Sequence, residues 1–147
     1  MVRRQDAPRC QCRGDAHMDD RIRDFIATSA RTIVGLDVVL FFQANPSAFD
    51  TPRGIALRTH RAVEEVGPAL ERLAKRGIVE RHTRGEGRYT CYALAKDPDV
   101  WDLLCMVSEA YLDDPTSRKE IIRLLISIQH EERTTQVQPP ATGGDKP

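Results

Sequence analysis

The sequence has no long apolar run. Its densest block, Val38-Val39-Leu40-Phe41-Phe42, falls far short of the ~20 residues a membrane helix needs. No early stretch joins a basic start to a long apolar segment either, so the chain reads as cytoplasmic, with no membrane partner. Neither sign of charge is in excess: Lys plus Arg total 22 and Asp plus Glu total 22, so net charge alone points to no polyanionic partner. Any charged binding face has to come from uneven placement. Cysteine is sparse, with Cys10, Cys12, Cys91 and Cys105 spaced too widely for a small disulfide scaffold, and reduced thiols are expected. Catalytic motifs are missing as well. There is no Walker-type glycine loop, no Gly-x-Ser-x-Gly elbow and no His-Glu-x-x-His pair, and Gly85-Glu86-Gly87 is too short for a nucleotide fingerprint. Neither an enzyme nor a cofactor is expected. Cys10 and Cys12 with His17 offer soft ligands, but a closed tetrahedral metal site needs a fourth ligand and a fixed frame, so no metal is assigned.

What remains is one core with tails. The 147 residues show no second apolar region and no internal repeat. Residues 1–17 hold almost nothing that could be buried and read as a disordered tail. Met18 stands where the first amphipathic pattern begins, which makes it a candidate natural start. Ile22, Phe25 and Ile26 then follow helical spacing behind Asp19 and Asp20, predicting a helix over 19–30. A wide apolar surface over 32–44 predicts a buried central helix, ended at Asn45-Pro46. After an expected loop over 45–50, Thr51-Pro52 restarts a helix to about 59.

Val63, Val66, Leu70 and Leu73 share one helical face, and Gly77 stops that helix behind Lys75 and Arg76, predicting 63–76. Pro68 leaves two alternatives, a regular helix starting near Gly67-Pro68 or a kink there. Residues 78–82 and 88–94 read as strands of a hairpin around Thr83-Arg84-Gly85-Glu86-Gly87. Asp97-Pro98 and Asp114-Pro115 open two further helices, giving a helical pair over 97–132. Residues 133–147 lack periodicity and read as a second disordered tail. Cys91, Cys105, Tyr89, Tyr92 and Trp101 read as packing residues.

The segment Ala69 to Arg81, "ALERLAKRGIVER", resembles the recognition-helix end and first wing strand of winged helix-turn-helix regulators of the MarR, PadR and ArsR groups. Leu70, Leu73, Gly77, Ile78 and Val79 carry the match, and the resemblance covers residues 32–95. It implies an α+β, mostly α fold: a winged helix-turn-helix domain over 18–96 with additional N- and C-terminal helices, the latter a possible dimerisation segment. It also implies a transcription regulator that binds duplex DNA as a homodimer, with residues 63–76 as recognition helix and 78–94 as wing.

The charges speak both ways. From Arg72 to Arg88 six cations face Glu80 and Glu86, a local charge of +4 in a neutral chain. Arg72, Arg81, Arg84 and Arg88 are the DNA-contact candidates there, with Arg58, His60 and Arg61 just ahead of the recognition helix and Arg53 as a weaker addition. Glu64, Glu65 and Glu71, on the outward side of the same helix, would repel phosphate. They define the alternative, a winged-helix protein-interaction module whose acidic helix face docks on a protein partner with weak or no DNA binding.

Overall fold

The computed structural model describes residues 19–143; the tail over 1–17, Met18, Cys10, Cys12 and His17 lie outside the described residues, as does 144–147. Helix α1 (Asp20–Phe25) is capped by Asp19, whose side chain accepts the Arg21 amide, and its last turns widen into a π-helical stretch, Ile26–Ala30. The Arg21 side chain also donates to that carboxylate and holds the Asp19 carboxyl below its usual range. The chain turns at Arg31 (φ 58°), and Thr32 caps α2 (Ile33–Ala44) by accepting the Gly35 amide at 2.8 Å. Gly35 is required by close approach, because a Cβ there would lie 2.1 Å from the Ala30 carbonyl oxygen.

Helix α2 is central, with Val34, Leu36, Val38, Val39 and Phe42 buried. Strand β1 (Phe49–Asp50) follows, where the sequence reading has only loop. Two residues are too few to show an alternation, and their partner strand lies more than forty positions later. Thr51 caps α3 (Pro52–Thr59) by accepting the Gly54 amide, with Pro52 at the first helical position where its missing N–H costs nothing.

Helix α4 (Val63–Lys75) buries Val66, Ala69, Leu70 and Leu73. It starts five residues before Pro68, which excludes the late start; the ring sits on the exposed side, where the carbonyl it deprives of a donor meets water. Gly77 (φ 79°) donates to the Ala74 carbonyl and Ile78 to that of Leu73, the paired bonds that close a helix on a left-handed residue.

Strands β2 (Val79–Arg84) and β3 (Tyr89–Leu94) pair antiparallel from Val79↔Leu94 to Arg84↔Tyr89, and β1 pairs with the other edge of β3, giving the order β1-β3-β2. β2 runs two residues beyond the expected end because Gly85, Glu86 and Gly87 all take positive φ and tighten the turn. Helix α5 (Pro98–Ser108) continues as a second π-helical stretch, Glu109–Asp113, and α6 (Pro115–Gly143) closes the chain.

Val100, Leu104 and Val107 of α5 and Ile121, Leu125 and Ile128 of α6 join the same core as α1, α2 and α4, so the C-terminal pair buries its apolar faces on its own chain. Helix α6 runs past 132, correcting the tail boundary: Arg133 to Gln138 contains no breaker, and each added residue closes one more backbone bond. The fold is α+β and mostly helical, with a small three-stranded antiparallel sheet. Among the described residues no single helix is long and apolar enough to cross a membrane.

Candidate nucleic-acid interface

Helix α4 presents its inner row to the core and leaves Glu64, Glu65, Pro68, Glu71 and Lys75 exposed. Seen along the axis, Glu64, Pro68, Glu71 and Lys75 lie opposite Val66, Leu70 and Leu73. The outward surface of this helix is therefore acidic over two turns and basic only at its end.

Arg72 departs from the expected contact set. Its half-buried guanidinium turns inward, donating from Nε to the Ser29 carbonyl and from Nη2 to the Ala30 carbonyl, both at 3.2 Å. The end of α1 leaves carbonyls without helical donors, and a cation is the strongest donor available to them. Burial pulls the Arg72 pKa down, the Arg31 guanidinium adds to that, and the Glu132 carboxylate opposes it. Arg31 completes the junction by donating to the Ala27 carbonyl and to Glu132 of α6. With Arg72 so placed, residues 75–88 hold five cations against Glu80 and Glu86, a local charge of +3.

The cations between α3 and α4 divide. Arg61 is bound to Asp37 of α2 at 2.6 Å, a pairing invisible to periodicity because Asp37 lies 24 residues earlier. Arg58 lies 5.5 Å over the Phe41 ring with its Nε 4.0 Å from Asp50, and its side chain remains more than half exposed. His60 is exposed in the left-handed conformation that ends α3, and Arg53 is exposed on that helix's first turn.

Arg81, Arg84 and Arg88 are exposed on the hairpin, and none makes an ion pair among the described residues. The strand alternation separates them: Val79, Tyr92 and Leu94 face the core together with Arg81 and Asp50, whereas Glu80, His82, Arg84, Tyr89, Cys91, Ala93 and Phe49 form the opposite face. On that outer face the Arg84 guanidinium sits 5.0 Å from the Phe49 ring centroid, and the His82 ring 5.5 Å from it on a tilted approach. His82 also meets Glu80 at 3.3 Å.

Tyr89, read from sequence as a packing residue, is instead 57% exposed, while Tyr92 is buried and Trp101, Cys91 and Cys105 are half-buried. Burial raises the Tyr92 pKa; Arg81, its register partner, lowers it and Glu71 raises it. Among the described residues no three His, Cys, Asp or Glu side chains are grouped to hold a metal ion. No protein-family model matches the sequence, and no curated protein shows significant similarity to it.

Proposed function

We propose that this chain is a winged helix-turn-helix transcription regulator that binds duplex DNA, with α4 approaching the major groove and the β2–β3 hairpin lying along the backbone. The order of elements carries the reading: a buried helix, a two-residue strand, two helices and a hairpin, with the short strand bonded to β3 opposite β2. In that arrangement the recognition element and the wing are neighbours, and the wing here carries Arg81, Arg84 and Arg88, none of them ion-paired among the described residues. Arg58 and His60 extend the basic rim, and Arg61 joins it only by leaving Asp37. The contacts are of the positioning kind, made to phosphate rather than to base edges.

A two-fold dimer accompanies this reading. A cleft of about 470 Å³ between α2, α4 and α6 is lined by Ile33, Pro68, Ile122 and Ile126, and Ile126 is 60% exposed. A second copy seated on the α6 side of that cleft, over Ile122 and Ile126, would leave the outward row of α4 free and place two wings on one duplex.

The test is fluorescence polarisation on generic duplex DNA across a salt series. Three wing arginines per protomer, six phosphates in a dimer, give a log–log slope near −5, and Arg84→Glu with Arg88→Glu should flatten it to about −2. Binding that survives this pair with an unchanged slope defeats the wing assignment. The outward row Glu64, Glu65 and Glu71 favours the second reading, a protein-interaction module. That reading gains if wild type fails to bind duplex at low salt and Glu64→Lys with Glu65→Lys abolishes capture of a protein partner without changing the thermal midpoint.

A further inference from the structure

The outer face of the sheet has a chemistry the duplex reading does not use. Phe49 is 43% exposed and Tyr89 57% exposed, on opposite ends of the same face. The Arg84 guanidinium lies over the Phe49 ring, 5.0 Å from its centroid, with the His82 ring on a tilted approach, and Tyr89 packs over the backbone of Gly85, where an added Cβ would lie 3.0 Å from its Cδ2. The central strand gives this face the small Cys91 and Ala93, and the His82 and Arg84 side chains reach across it to Phe49, so the surface is a shelf of rings and guanidinium.

We propose that this shelf binds single-stranded DNA, stacking one unpaired base on Phe49 and another on Tyr89 while Arg84, whose guanidinium lies between the two rings, moves off Phe49 to take the intervening phosphate. Four residues of strand separate the Phe49 and Tyr89 positions, ~13 Å of backbone along the sheet, which suits two bases of one strand rather than one base clamped between rings. Flat aromatic faces bordered by guanidinium groups are what single-stranded nucleic acid uses without regard to sequence, since every base has a π-face and every linkage a charge. Glu80 is the acidic group of the shelf itself and is engaged by His82; Glu86 lies at the turn, beside Arg88. The site goes beyond the duplex reading: paired bases in a duplex are stacked on one another and cannot use it.

The experiment compares three fluorescent 12-mers at low salt: oligo-dT, an abasic strand with the same phosphates, and oligo-rU. Wild type should bind oligo-dT well above the abasic strand. Phe49→Ala with Tyr89→Ala should weaken oligo-dT by about thirtyfold or more and leave the abasic strand within about twofold, given ~1–3 kcal/mol per stacked base. Phe49→Trp with Tyr89→Trp keeps the rings and should keep the binding, which separates lost stacking from a disturbed hairpin. Equal binding of oligo-dT and the abasic strand overturns the proposal, as does an unaffected double alanine variant or tenfold tighter binding of oligo-rU. Because the alanine pair removes no wing charge, duplex affinity should not move, so failure here and failure of the duplex reading register in different assays.

Discussion

Arg72→Ala should destabilise the fold by about 3 kcal/mol and leave the salt dependence of DNA binding untouched. Each of its two bonds comes from a charged donor, and such bonds contribute ~1.5–3 kcal/mol net, for a gross loss of roughly 3–6 kcal/mol. Three features bring the value to the low end. Both bonds are long at 3.2 Å, and the Ala30 carbonyl keeps the Thr32 amide at 2.6 Å. The guanidinium is also desolvated and faces Arg31, costs that vanish with the side chain. For a chain of this size, with roughly 4 °C of thermal midpoint per kcal/mol, the drop is about 12 °C. Arg72→Lys, a single point of charge without the forked geometry, should recover less than half of it. Thermal unfolding by circular dichroism reads the midpoint and a duplex salt series reads the slope. A midpoint within about 2 °C of wild type, with a dimer slope flattened by ~1.8, would show that Arg72 faces phosphate after all.

Gly35→Ala places a methyl carbon 2.1 Å from the Ala30 carbonyl oxygen, in a helix that cannot move without dragging the core. It should cost at least ~3 kcal/mol, the upper range for overpacking, read as a lowered urea midpoint; a midpoint equal to wild type refutes the close approach. Tyr92 has its pKa raised above the ordinary 10.0 by burial, so the native state holds its proton where the unfolded chain has lost it. Its contribution is complete below pH 10 and declines as pH rises through the native value. Stability of wild type should therefore fall more steeply above pH 10 than that of Tyr92→Phe, and parallel pH–stability curves would contradict the assignment.

Local signals placed the helices because their boundaries are chemical and adjacent. Thr51-Pro52, Asp97-Pro98 and Gly77 each act within one turn of the residues they cap. Contacts between distant segments left no such mark. β1 exists only through β3, and Arg72 points inward only because the end of α1, some forty residues earlier, leaves two carbonyls beside it. Arg61 is likewise claimed by Asp37 across two elements. The outward turn of Tyr89 was within reach: once Tyr92 and Leu94 pair inward with Val79, alternation sends Tyr89, Cys91 and Ala93 to the other face. What hid it was the composition of the strand, where three aromatic or apolar residues share the solvent side and blur the period.

The junction at the end of α1 also sets an order of events during synthesis. Arg31 meets Glu132 across 101 residues, and Arg72 reaches Ser29 across 43. At ~5–20 residues per second, the ribosome needs roughly 5–20 s to make the partner that clamps Arg31 after Arg31 itself has been joined. During that interval the π-helical stretch Ile26–Ala30 lacks its α6 neighbour, although Ile26 and Ala30 are buried in the finished protein. A nascent chain stalled before α6 emerges thus offers that uncovered apolar surface to chaperones or to other nascent chains.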